Sequence, residues 1–458
     1  MDKWLSAALD YIPRWIEHQM RIHEQPGCSF ALVQHGKLAA EFALGQAAPG
    51  VALTPRHRFR VASHSKTFTA VAVMKLREQA RCGLDDPVGR FVPGLHPDVA
   101  AATLAQLLSH SAGLVRDGAD AGQWADRRPF LNEAELRADL ASGPLLPTGS
   151  RFKYSNHGYG LLGLAIEAIT GEPYAHWVAR EVVAASVLKE TVPDAPLAAG
   201  LPFVRLARGH STRWPLGQRV VIPGDNPTHA LAAATGFIST AADLARFFAS
   251  LAPDAPCSVL TPASRREMLR RQWRDPHGTA ERWYGLGTIS ATLADWDHFG
   301  HSGTFQGTLT RTLCVPAQGL ALSVLTNAAD GLAQTFADGA LHILRAHARH
   351  GAPTATTRAW RGRWWSLSGA FDLVPLADRV LVASPALANP LQDASEITLD
   401  TPSTGRITLA GGFANHGEPA RLKRAAAGRP AALQLGGTRL QDEAATVAEL
   451  KAKYQAAR

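Results

Sequence analysis

Cysteine is scarce in this 458-residue chain: four residues, Cys28, Cys82, Cys257 and Cys314, stand far apart with no C-x-x-C pair. That excludes a disulfide framework or a zinc knot, and it fits a reduced compartment in which the thiols act as small buried hydrophobes. Lysine is scarce too. Lys+Arg number 47 against 39 Asp+Glu, a net charge of +8, yet only nine are lysines and no basic run exceeds two residues. A nucleic-acid footprint concentrates such charge on one face, so no nucleic-acid partner is expected. No uninterrupted apolar run approaches the ~18 residues that span a bilayer. The first helix carries Trp4, Leu5, Ala8, Tyr11, Ile12 and Ile16 on one side, with Pro13 placed to bend it. Asp2, Asp10 and Glu17 interrupt it, unlike the apolar core of a signal peptide. No membrane partner and a cytoplasmic location are the expectations. Internal repeats and low-complexity tracts are also absent.

What is present is ordinary globular composition, 46% hydrophobic and 19% charged. At ~150 residues per domain the length implies two or three units. Pro26 to Ala47 reads as a hairpin turning at His35-Gly36. A helix opens at Val61-Ala62-Ser63-His64-Ser65-Lys66 and runs to about Gln79, with Gly83 as its stop. Short helices follow to about Arg180, then a helix over 242–251. Strands return from Trp283 to Asn327 with turn signals at Gly303, Gly307 and Pro316-Ala317-Gln318-Gly319, and a helix covers 332–349. Early strands, a helical middle and late strands predict an α+β fold whose first and last strands are neighbours. Residues 1–350 are expected to form one domain, 351–357 a linker, and 358–458 a small antiparallel β-barrel built from short apolar runs between turn residues.

Three local patterns can carry chemistry. In Ser63-x-x-Lys66 a serine sits at the first turn of a helix, at the positive end of the dipole, and the lysine three residues on shares its face. Two other copies, Ser150 to Lys153 and Ser186 to Lys189, show that the pattern alone is weak, since an ordinary solvated turn matches it. Among six tyrosines only Tyr154 has Asn two places later, in Tyr154-Ser155-Asn156 before a buried helix. Alone this is as readily a turn asparagine beside a core aromatic. Gly300-His301-Ser302-Gly303-Thr304 lies on or beside a strand whose edge offers N–H donors, with His298-Phe299-Gly300 as a competing register. Gly158-x-Gly160-x-x-Gly163 matches a dinucleotide fingerprint but has no βαβ unit around it. His342, His347 and His350 read as a solvated helix face rather than a metal site.

In this order and separation the three patterns resemble the motif set of the penicillin-recognising serine hydrolases, nearest the branch of class C β-lactamases, D-alanyl-D-alanine carboxypeptidases, D-aminopeptidases and esterases. The stretches from Gln106 to Leu114 and from Ala234 to Leu244 support it, and the resemblance covers roughly residues 25–350. It implies a β-lactamase/transpeptidase-like antiparallel sheet flanked by helices, with Ser63 as nucleophile and Lys66 and Tyr154 as a coupled base. Asn156, His301, Gly303 and Thr304 would bind substrate, the N–H groups of Ser63 and Thr304 holding the oxyanion for about 3 kcal/mol each. A lysine base must fall from ~10.4 to near 7, a cost of about 4–5 kcal/mol. No metal or organic cofactor is implied.

The third motif departs from that family, which commonly has Lys-Thr-Gly where this chain has His301-Ser302-Gly303. A histidine near pH 7 is only partly charged and holds a substrate carboxylate less well than an ammonium. Small amides, D-amino-acid peptides or esters are the expected substrates, with weak β-lactamase activity. A β-lactamase or carboxypeptidase, an acyltransferase using the same acyl-enzyme, and a non-catalytic ligand-binding relative are the alternatives. The C-terminal unit resembles the lipocalin-like barrel of D-aminopeptidases, expected to shape the active-site mouth or to mediate assembly of a homo-oligomer.

Overall fold

The computed structural model describes residues 1–195, 206–214, 216–412, 414–424 and 430–455. By internal packing it divides into two units, Gln25–Ala337 and Met1–Glu24 with Asp338–Arg458.

Among the described residues, the largest sheet of the Gln25–Ala337 unit has nine strands, antiparallel at every pairing. The expected hairpin is there: Gly27–Gln34 and Lys37–Ala48 flank His35 and Gly36, at φ 48° and 76°. Positive φ at both positions gives a two-residue turn whose twist matches that of the strands. Gly27–Gln34 is buried at every position and pairs with the equally buried Leu320–Thr326, so the strands from the two ends of the unit are neighbours, as the pattern predicts. Strands buried at every position need cover on both faces. From Leu320–Thr326 the order continues through Thr308–Val315 and Trp296–Phe305 to Ile289–Leu293. Gly303 therefore lies inside a strand, not at the turn its composition suggested.

The helix opened by the Ser-x-x-Lys pattern spans Ser65–Glu78, preceded by a 3-10 turn over Ala62–His64. It is buried from Ser65 to Met74, with Phe68 stacked between Phe237 and Phe247 at 4.2 and 3.9 Å. Its stop is Ala80, at φ 57°, with the Arg81 N–H returning to the Leu76 carbonyl at 3.0 Å. Gly83 instead donates its N–H to the Asp86 carboxylate at 2.7 Å. The Asn156–Thr170 helix is capped by the Ser155 hydroxyl and closed by Gly171 in the left-handed region. Gly158, Gly160 and Gly163 all fall inside it. A Cβ at Gly160 would come within 2.9 Å of the Ala230 carbonyl and one at Gly163 within 3.0 Å of Ala233 Cβ, so these two glycines serve close packing inside a helix rather than a phosphate loop.

In the other unit, Gly362–Ser366 through Thr438–Leu440 form an eight-stranded antiparallel meander, and a Trp365–Gln441 bridge returns the last strand to the first. Trp360, Leu373, Val380, Ile397 and Leu433 fill its core. The Lys3–Ile22 helix packs within the same unit, Gln19 donating to the Pro385 carbonyl at 2.7 Å and Trp15 to that of Leu387 at 3.3 Å. The 351–357 stretch contains most of a short helix, Ala355–Arg358, capped by Thr354. The solvated reading of the late histidines fails at His347, which is buried and bonded to the Ile343 carbonyl one turn back. No helix of the described residues is long and apolar enough to cross a membrane. Cys28, Cys82 and Cys314 are buried free thiols, while Cys257 is exposed.

Candidate active site

Ser63 sits in the 3-10 turn that leads into the Ser65–Glu78 helix. The residue before it, Ala62, is at φ 48°, a left-handed conformation that costs a non-glycine residue roughly 1 kcal/mol or more. Its surroundings hold it there. The Val61 N–H donates to the Phe237 carbonyl at 3.0 Å, and the buried Ser65 hydroxyl donates to the Ala62 carbonyl at 2.6 Å while accepting the Phe237 N–H at 3.0 Å. The distant segment at Phe237 thus helps aim the Ser63 hydroxyl out of the helix start, where it is partly exposed.

Lys66 follows on the same face and is 0% exposed. Its amine donates to Ser63 Oγ at 3.1 Å, to Asn156 Oδ1 at 2.7 Å and to the Ala234 carbonyl at 2.9 Å. Burial pushes its pKa well below the ordinary lysine value; the Asp117 carboxylate works against that and the Arg116 guanidinium reinforces it. Tyr154 reaches Ser63 Oγ from the other side at 2.9 Å, its ring 4.8 Å from the amine. Burial drives the Tyr154 phenol above its usual range, only partly opposed by its bond to Ser63. A hydroxyl held between a buried amine whose pKa is lowered and a phenol whose pKa is raised can lose its proton to the amine and relay protons through the phenol.

The strand of the third motif runs alongside this turn. Gly303 permits the approach: a Cβ there would lie 2.2 Å from the Val61 carbonyl oxygen. Gly303→Ala is therefore expected to destabilise the protein by about 1–3 kcal/mol, read as a lowered melting temperature, with loss of Ser63 reactivity because the strand is pushed off the Ser63 turn. His301 is 1% exposed, its ring bonded through Nε2 to the Tyr284 hydroxyl at 3.0 Å and through Nδ1 to the Ser302 carbonyl at 2.7 Å. Burial first, then His64 and Lys66 nearby, hold its pKa well below the ordinary imidazole value. It is neutral near pH 7 rather than partly charged.

A cavity of about 430 Å³ gathers Ser63, Tyr154, Asn156, His301, Ser302 and Thr304, with Arg116, Trp124, Ile289 and Phe305 completing its wall. Five of the seven expected site residues line it; Lys66 lies buried behind Ser63, and Gly303 faces Val61. His298, on the same strand, does not line it. Ser150 and Ser186 stand elsewhere, in turns.

The second wall escaped the sequence reading. Asp117 accepts Asn156 Nδ2 at 2.6 Å and Trp124 Nε1 at 2.9 Å on one oxygen, and pairs with Arg116 Nε at 3.1 Å through the other. Its only sequence signal was its place just after the Gln106–Leu114 stretch. His110, inside that stretch, packs its ring against that of Tyr154 at 4.1 Å, tilted by 36°, and accepts the Ser155 N–H on Nδ1 at 3.1 Å. Tyr284, which anchors His301, had no motif around it.

Over 173 residues the chain is 29% identical to protein flp of Staphylococcus aureus (strain N315), a match covering 36% of this chain and 34% of that one, so it spans about a third of the length of that curated relative. The octameric penicillin-binding protein homologue of Pyrococcus abyssi superposes over 95% of this chain and 100% of its own at a TM-score of 0.66 and 21% identity. The D-amino acid amidase of Ochrobactrum anthropi SV3 does so over 73% of this chain and 99% of its own, at a TM-score of 0.61 and 22% identity. Both likenesses are likenesses of fold. The family model described as Beta-lactamase matches residues 12–347, and the chain belongs to that family of serine hydrolases.

Proposed function

We propose that the protein hydrolyses small amides, D-amino-acid peptides or esters through an acyl-enzyme on Ser63. The observation that carries this reading is the Ser63 hydroxyl held 3.1 Å from a buried amine and 2.9 Å from a phenol, at the wall of a cavity. Lys66 is the base and Tyr154 the neutral relay, because burial favours the uncharged form of both groups.

Lys66 takes the Ser63 proton as Oγ bonds to the substrate carbonyl carbon. The oxyanion rests on the N–H groups of Ser63 and Thr304. Its collapse breaks the bond to the amine or alcohol, which leaves with the proton from Lys66 relayed by Tyr154. Lys66 then takes a proton from water as the hydroxyl adds to the acyl carbon, and collapse of that adduct breaks the bond to Ser63 Oγ, which takes the proton back from Lys66 as the acid leaves. Asn156, bonded to the base, offers its remaining polarity to the amide side of the substrate.

A neutral His301 supplies no fixed ammonium for a penicillin carboxylate, which supports amides and esters over β-lactams. The D-amino acid amidase fold neighbour supports the same class, and the octameric neighbour supports self-association. The test is mass spectrometry after exposure to a fluorophosphonate, alongside turnover of a D-alanine anilide, a nitrophenyl ester and benzylpenicillin. A single adduct on Ser63 is expected, with penicillin turned over at least about 100-fold less efficiently than the ester, the scale of losing a charge-assisted contact. Absence of the adduct would sink the reading, and efficient penicillin turnover would sink the substrate class.

A further inference from the structure

We infer that Asp117, with Arg116 paired to it, is the positioning element of this site: it fixes the Asn156 amide so that Oδ1 meets the Lys66 amine, and it sets a carboxylate behind that contact. The inference rests on the proposed roles of Ser63 and Lys66.

The geometry leaves Asn156 one orientation. Its Nδ2 donates to Asp117 Oδ1 at 2.6 Å, and a carboxylate can only accept, so Oδ1 is the atom presented to Lys66 at 2.7 Å. Without Asp117 the amide is free to turn its donor face to the amine, breaking that contact. Asp117 is itself held from two further directions, by Trp124 Nε1 at 2.9 Å and Arg116 Nε at 3.1 Å, and its side chain is 13% exposed against 66% for Arg116. One charge is sheltered and one faces solvent at the cavity wall.

The groups around Lys66 separate cleanly by charge. Tyr154 and Tyr159 place their rings 4.8 and 5.5 Å from the amine, and burial keeps both phenols protonated. His110 and His301 also feel Lys66, and burial holds both well below the ordinary imidazole range. Asn156, Ser63 and the Ala234 carbonyl are uncharged. Among the described residues this leaves Asp117 and Arg116 as the formal charges that act on the amine, with opposite signs.

Opposite signs give opposite outcomes. Asp117→Asn keeps an oxygen for Asn156 and Trp124 but removes the charge, so Lys66 should lose its proton at lower pH. Arg116→Gln removes the cation and should move that deprotonation to higher pH. The experiment is the pH dependence of the rate at which a neutral fluorophosphonate labels Ser63 in the full chain. The acid limb is expected to move down by roughly one unit in Asp117→Asn and up by a smaller amount in Arg116→Gln, the scale of a single nearby charge. Asp117→Glu, which keeps the charge, should retain the wild-type limb.

Limbs that superimpose in Asp117→Asn and wild type, with only the plateau lowered, would reduce Asp117 to a structural prop and overturn the inference. If Asp117→Asn does not fold, the solvent-facing Arg116→Gln decides alone, and an unmoved or lowered limb overturns it. A wild-type protein that takes no label at Ser63 is a different result, one that removes the proposed function and this inference with it.

Discussion

Ser63→Ala is expected to lower kcat on the anilide and the ester by four or more orders of magnitude, roughly the loss seen when a serine nucleophile is deleted. The oxyanion donors and the cavity survive the change, so a small residual rate and a nearly unchanged KM should remain. Stability should hardly move. The hydroxyl is partly exposed, Lys66 keeps its bonds to Asn156 and the Ala234 carbonyl, and substitutions of this kind usually fall within about 0.5 kcal/mol. Melting temperature and intact mass after fluorophosphonate exposure separate the two effects. A variant that melts like wild type and turns over substrate at close to the wild-type rate would place the chemistry elsewhere.

Lys66→Met is expected to cost roughly 10³-fold or more in kcat, within the range that general-base catalysis and loss of a nucleophile-activating group span. The wild-type pH profile supplies the sign. Only the uncharged amine can accept the Ser63 proton, and burial has moved its pKa well below the ordinary lysine value. Activity should therefore rise with pH through that lowered value and level off well below pH 10. In Lys66→Met the acid limb should vanish from whatever rate survives. Stability carries the same signature. Between the lowered folded pKa and the unfolded value near 10.4 the unfolded chain binds more protons than the native one, so this residue's contribution to stability improves as pH rises across that window. A limb that persists in Lys66→Met would assign the base to another group.

Much of the fold was legible because its signals are local. The His35-Gly36 turn, the strands that flank it and the helix expected over 332–349 each depend on residues a few positions apart, and all are found there. The same is true of Ser63 and Lys66, whose separation of three on one helical face brings amine and hydroxyl to 3.1 Å. Where a local rule failed, a distant contact overrode it. Gly303 has a turn residue's composition but lies within a strand because the Val61 carbonyl occupies the space of its missing side chain. Gly83 looked like the helix stop, yet Ala80 takes the left-handed position because the Arg81 N–H can return to Leu76 from there.

The sequence by itself determined which nucleophile, amine, phenol and strand would be available, and in what order along the chain. Only the tertiary structure decided their protonation. His301 lies two residues from Gly303 in the chain, but its lowered pKa comes from burial and from His64 and Lys66, which belong to a distant segment. Lys66 is stripped of water by the Ala234 carbonyl and by Asn156, which stands 90 residues away and is itself hydrogen-bonded to Asp117. A pKa depends on solvent removed and charges brought near, and both are set by packing between segments whose spacing in the chain records neither.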